Sequence, residues 1–174
     1  LTAPQTFDPR IVIVDIDDLS LQAVGQWPWG RDTMARLTKE IMDRQQAGVL
    51  GFDMVFAEHD HSSGLAALRE LPQGPLRDNA ALRSHLEQLA PRLDNDGNFA
   101  QAMHNQRIVL GYYLTQGATP LTKGVLPRPL LKREAFPAGR VYATQWNGFG
   151  SNIAPLAGAA SSAGFINAVI SARS

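Results

Sequence analysis

Two periodicities organise the apolar residues of this chain. Residues 11–16, Ile-Val-Ile-Val-Asp-Ile, are nearly all β-branched and apolar, the pattern of a strand buried on both faces of a parallel sheet. Residues 32–47 then switch to helical spacing. Met34, Leu37, Ile41 and Met42 recur at i, i+3, i+7 and i+8 and form one apolar stripe. Asp32 stands at the positive end of that helix, and Asp32–Arg36 and Glu40–Arg44 are i,i+4 pairs on its wet face, each supporting a helix by about 0.2–0.5 kcal/mol. Gly48 is placed to end it as a left-handed cap. Residues 49–56, VLGFDMVF, read as a second buried strand. Strand, helix and strand with short connections predict a right-handed βαβ unit.

Downstream the pattern is looser. A short helical turn is predicted around Leu65 and Leu68. Leu82, Leu86 and Leu89 mark a helix that Pro91 should stop. Asp96-Gly97 opens a further short helix holding Phe99, Ala100 and Met103, and residues 107–114, RIVLGYYL, give a third strand. Residues 115–140, rich in proline and glycine, predict a long loop with at most an edge strand. After Pro155 a small-residue helix capped by Gly164 should lead into a last strand at 165–170. Together these elements predict a three-layer α/β domain. Its mainly parallel central sheet should have strands near 10–16, 49–56 and 107–114 at the core and helices on both faces.

A chain of 174 residues with 44% apolar and 18% charged residues suits one domain spanning 1–174. Its formal net charge is zero, which argues against nucleic acid as a partner and removes bulk attraction to anionic lipid. There is no cysteine, which excludes disulfides, thiolate metal sites and a cysteine nucleophile. No apolar run is long enough to span a bilayer. The chain begins at Leu1 without methionine and reads as an excised piece. Membrane segments are expected only in flanking sequence, and Leu1 and Ser174 are expected on one side of the fold.

Four clusters bear on chemistry. Asp15, Asp17 and Asp18 end the first predicted strand, and Asp53 lies in the second. Ligands of open α/β sheets bind at the carboxyl ends of strands. Asp15, Asp17 and Asp53 could therefore hold a hard divalent cation. Alternatively, Asp17 or Asp18 caps the following SLQAVG turn, and Asp53 bonds to Arg31 or the backbone beside it. Residues 27–31, Trp-Pro-Trp-Gly-Arg, form a rigid corner. Trp27 or Trp29 should be buried there, and Arg31 either locks the corner by pairing with Asp17 or Asp53 or binds an anion at the next helix end. Residues 58–62, EHDHS, read as a solvated polar loop in preference to a metal site. Residues 94–98, DNDGN, lack the calcium-loop spacing and read as a helix N-cap. No nucleophile elbow, Walker sequence, dinucleotide loop or HExxH motif is present, so no cofactor is expected.

The N-terminal third resembles the CHASE2 domain, an extracytoplasmic sensory module of bacterial membrane receptors. The resemblance is carried by Asp8 and Arg10 before IVIVDIDDLSL, by Gly25 with WPWGR at 27–31, and by GVLGFDMVFAE at 48–58. Asp96, Phe99-Ala100, RIVLGYY at 107–113 and GFIN at 164–167 extend it. The resemblance implies a periplasmic or extracellular domain that follows one membrane helix and precedes others. Those lead to a cytoplasmic cyclase, histidine kinase or Ser/Thr kinase. It implies a non-catalytic role in reading a small-molecule or environmental stimulus within a receptor dimer. The family pattern runs on past VISARS, so the C-terminal end is expected to be cut short. The resemblance supplies no ligand or binding residue; the expected ligand-binding residues, Asp15, Asp17, Trp27, Trp29, Arg31 and Asp53, come from the carboxylate cluster and the corner. The alternatives are a metal-dependent phosphate-ester hydrolase built on Asp15, Asp17 and Asp53, or a dimerisation module without a ligand.

Overall fold

The sheet is organised around one long apolar strand, and what that strand pairs with decides the architecture. A computed structural model describes residues 8–74, 76–129, 131, 135 and 144–167. Strand β2 (Ile108–Thr115) pairs in parallel with β1 (Leu50–Phe52) on one edge and with β5 (Ser162–Phe165) on the other. Beyond the end of β1, residues 113–115 of β2 pair antiparallel with β4 (Gly148–Gly150), which pairs in parallel with β3 (Thr122–Lys123). Among the described residues the result is a mixed five-stranded sheet rather than the expected mainly parallel one. The antiparallel pair comes from the Gly-Phe-Gly of β4, where missing side chains weaken any periodic signal. Three asparagine side chains extend the pairing where the backbone ladder stops. Asn152 accepts from Phe56 N and donates to Gly111 O, Asn167 does the same with Leu114 N and O, and Asn147 with Gly117 N and O.

The core lies on the Phe52 and Leu110 face of the sheet. Helix α2 (Arg31–Lys39) runs on as a π-helical turn over Glu40–Arg44 and contributes Met34, Ala35 and Met42. Helix α5 (Asn95–Met103) contributes Phe99, Ala102 and Met103, and α6 (Ala154–Ala159) contributes Leu156. Phe52, Phe56 and Phe99 form an edge-to-face triad with centroids 5.3–5.9 Å apart, the preferred geometry of aromatic quadrupoles. Helices α3 (Leu65–Glu70) and α4 (Ala80–Leu93) lie toward the periphery, and α4 buries no residue fully. On the opposite face of the sheet Gly51 and Asp53 are exposed, and a shallow groove of about 310 Å³ runs over Gly51, Val109, Gly111 and Gly164. The helices of the core cluster therefore cover one face, where helices on both were expected.

Several sequence expectations hold. The helix at 32–47, the turn near Leu65, the capped helix at 95–103 and the third strand are all present. The Glu40–Arg44 pair forms at 2.8 Å, whereas Arg36 bonds Thr33 instead of Asp32. Several boundaries differ. The second strand, expected over 49–56, is confined to Leu50–Phe52, and the last strand, expected from 165, begins at Ser162. Gln46, at φ 55°, takes the left-handed position expected of Gly48, because the wider π turn has already released the chain. Pro91 sits inside the last turn of α4, where the helix ends too soon after it to need a straight continuation. Gly164 lies within β5, two residues after that strand begins, and caps no helix.

The main correction concerns residues 10–16. They form no strand, and Ile13 is 88% exposed, with Ile11, Val12 and Val14 also exposed. A β-branched run becomes a strand only where a neighbouring edge is offered, and every described hydrogen bond of residues 8–24 is local. The run leads into α1 (Asp18–Val24), which buries no residue. Residues 8–24 are thus an arm beside the body of the domain. Residues 168–170, expected as the end of the last strand, and both termini lie outside the described residues.

Candidate functional site

The arm meets the body at the Trp-Pro-Trp-Gly-Arg corner. Gly25, at φ 120°, turns the chain out of α1 with a backbone that disfavours any side chain. The Trp27–Pro28 peptide is cis. Trp29 donates from its indole N–H to Gly25 O at 2.7 Å and packs half-buried against the core. Trp27 stands edge-on to it with 44% of its surface exposed. One indole of the two is therefore partly buried.

Helix α2 begins at Arg31 without a side-chain cap of its own, because its N-cap is Gly30. A carboxylate from a distant loop does that work. Asp60 Oδ2 accepts from Arg31 N at 2.7 Å, placing negative charge at the positive end of the helix. The approach is close: a Cβ at Gly30 would come within 2.8 Å of Ser62 Oγ. Asp60 also accepts from Ser62 N at 2.7 Å and from Asn95 Nδ2 at 3.0 Å. Burial pushes the Asp60 carboxyl up, and the bonds from Ser62, Arg31 N and Asn95 outweigh it and hold it below the usual carboxylate range.

The Arg31 side chain turns inward. Its carbon Cζ stands 4.5 Å over the Phe56 ring, a cation–π contact with the aromatic triad. Nη2 donates to Glu58 O at 3.2 Å, and Nε lies 3.7 Å from Asp96 Oδ1. Only 15% of the Arg31 side chain and 10% of that of Asp96 are exposed. Burial pushes the guanidinium pKa down, and the carboxylates of Asp96 and Asp60 pull it back up. Asp96 also accepts from Asp60 N at 3.2 Å and shares a 2.8 Å hydrogen bond with His59 Nδ1. Asp94, two residues before Asp96, caps α5 by accepting from Gly97 N.

This network is one wall of a cleft of about 430 Å³. Its polar lining includes His59, Asp60, His61, Arg69, Asp94 and Asp96. Carboxylates, imidazoles and a guanidinium converge there, so the cleft can recognise a small polar molecule by charge-assisted hydrogen bonds.

The residues expected to form the site are dispersed. Asp15 and Asp17 lie exposed on the arm, where Asp17 caps α1 by accepting from Ser20 N at 2.9 Å. Asp53 is exposed just past the end of β1. Among the described residues no three His, Asp or Glu side chains form a group able to hold a metal. The cation centre on which the hydrolase alternative stood is therefore not assembled. Arg31 does lock the corner, through Asp60, Asp96 and Glu58 O in place of Asp17 or Asp53. Sequence reasoning does not reach Asp60, Asn95 and His59, whose segments read as solvated loop and helix cap. The available signal was the spacing of the family resemblance, which singled out Asp96.

Among the described residues no helix is long and apolar enough to cross a membrane. A family model described as CHASE2 domain matches residues 1–172. No curated protein and no solved structure matches the chain.

Proposed function

Since the chain belongs to the CHASE2 domain family of extracytoplasmic sensory modules, we propose that it is the signal-input domain of a bacterial transmembrane receptor. It faces the periplasm or the exterior, and its output is a cytoplasmic cyclase or kinase. Its stimulus is a small polar molecule that binds the cleft lined by His59, Asp60, Arg69 and Asp96. The observation that supports this reading is the double engagement of Asp60. The carboxylate borders the cleft and also holds the first N–H of α2, beside the corner from which the arm departs. A ligand that draws on Asp60 or Asp96 changes the hold on that corner. It then shifts a conformational equilibrium by the difference in its affinity for the two states.

The test is an untargeted ligand screen by native mass spectrometry on the purified domain, run beside Arg69→Ala and Asp94→Ala. Circular dichroism verifies that both variants fold. Binding of a polar molecule by the wild type that either variant weakens is the expected result. Ligand binding that neither variant changes would place the stimulus site elsewhere.

A further inference from the structure

The cleft holds polar groups that the protein does not pair among themselves. Asp60 and Asp96 are spent inward. Asp60 accepts from Arg31 N, Ser62 N and Asn95 Nδ2, and Asp96 accepts from Asp60 N beside the Arg31 guanidinium. Three other lining groups are not so engaged. Asn95 is only 9% exposed, and its Nδ2 donates to Asp60 and Ser62 while its Oδ1 accepts from no described group. Asp94 uses Oδ1 on Gly97 N and leaves Oδ2 without a described donor. The Arg69 guanidinium lines the same cleft and makes no hydrogen bond or ion pair among the described residues. A buried amide oxygen without a donor costs stability, and the cleft that Asn95 lines is where a ligand can supply one.

We infer that the cleft takes a small zwitterion, a primary ammonium and a carboxylate carried on one short aliphatic body; this rests on the reading of the cleft as the stimulus site. An ammonium brings three donors. Asn95 Oδ1 and Asp94 Oδ2, on adjacent residues at the start of α5, are the acceptors that lack them. A carboxylate matches Arg69, whose planar guanidinium suits a two-pronged bond. Leu65, Ala66, Leu93 and Pro155 add apolar lining for the aliphatic part. The cleft, at about 430 Å³, falls in the range of about 300–1,000 Å³ usual for small-molecule sites. The unpaired groups decide between ligand classes. A simple anion satisfies Arg69, but it sets negative charge beside three carboxylates and leaves Asn95 Oδ1 without a donor. A simple amine satisfies Asn95 and Asp94, but it leaves Arg69 unpaired beside a second cation. A zwitterion answers both. His59 and His61 also line the cleft, are exposed and can donate or accept, so they do not separate these classes.

The probes are L-alanine, L-valine and L-leucine, each titrated calorimetrically into the chain. The tightest binder is then compared with its two halves, the deaminated acid and the decarboxylated amine. At least one amino acid should bind, and each half should bind roughly tenfold or more weakly, the loss of one charge-assisted contact. Arg69→Gln should bring the amino acid down to the level of the amine and leave the amine unchanged. Asp94→Asn keeps the helix cap, because asparagine caps as well as aspartate. It should weaken the amino acid and the amine and spare the acid. Circular dichroism verifies that both variants fold. A half that binds as tightly as the whole, and that either variant weakens, would overturn the zwitterion and leave the cleft as the stimulus site. Amino-acid binding that neither variant changes would overturn both readings. No binding of any probe at millimolar concentration would overturn the zwitterion alone, since the untargeted screen still decides whether another polar molecule occupies the cleft.

Discussion

Residues 11–16 and 107–114 carry nearly the same message in sequence and end in opposite circumstances. Both are largely β-branched and apolar, with Arg10 just before the first and Arg107 opening the second. Ile108 and Leu110 are almost wholly buried between two parallel neighbours and the Phe99 face of α5, while Ile13 is 88% exposed. The difference lies in the company each segment keeps. β2 has an edge on either side and helices over one face, whereas the arm is joined to the body through a single corner. A hydrophobic run states what a segment gains from burial. It does not state which surface will supply it.

The predictions test that contrast, beginning with the body. Phe99 is fully buried at the centre of the aromatic triad. Phe99→Ala should destabilise the domain by about 3–5 kcal/mol, read by urea unfolding, through lost burial and the cavity left behind. A loss below about 1 kcal/mol would mean that the core closes over the gap easily. Asn152 is buried and joins Phe56 N to Gly111 O. Asn152→Ala should cost about 1–3 kcal/mol for each backbone group left without a partner. Arg31→Met comes next. It keeps the contact with Phe56 but leaves Asp96 without its cation, so a loss of about 1–3 kcal/mol is expected in the same assay. A gain would mean that burying the charge costs more than the pair returns.

A pH titration sharpens the picture at the corner. The folded Asp60 pKa is depressed, so its ionised form contributes stability above the unfolded carboxyl value of about 3.9. That contribution disappears as pH falls through the depressed folded value. Asp60→Asn should therefore be less stable than the wild type at neutral pH, and the gap should close in acid. Parallel curves across the whole range would show that Asp60 gives nothing through its charge. The smallest effect belongs to the arm. Ile13→Asp should change the unfolding free energy of the domain by no more than about 0.5 kcal/mol. A larger loss would erase the contrast, because it would mean that the arm is packed on its own body in solution.

Much of the body was legible from spacing alone. The stripe Met34, Leu37, Ile41, Met42 delivered α2, and the apolar run at 107–114 delivered the central strand. The Asp94 cap was visible because it acts over three residues. The missed features are those made at a distance. Asp60 caps a helix that begins 29 residues earlier, and no local pattern marks such a loan. Spacing points Arg31 toward the aspartates of the predicted strands, but Asp96 reaches it from α5. The antiparallel pairing of β4 was hidden because its Gly-Phe-Gly carries almost no side-chain pattern.

The three asparagine rungs give the sheet a chemical clock. In each, the amide carbonyl accepts from a backbone N–H and the amide nitrogen donates to a backbone carbonyl. Deamidation replaces that donor with a second acceptor, so an oxygen then faces the carbonyl of Gly111, Leu114 or Gly117. The exchange alters one heavy atom, adds a negative charge and reverses an attraction. Asn147 is the most vulnerable of the three, because Gly148 follows it and offers no side chain to shield the amide from attack by the next backbone nitrogen. An ageing preparation should therefore first loosen where residues 115–117 meet residue 147, at the end of β2 farthest from the aromatic core.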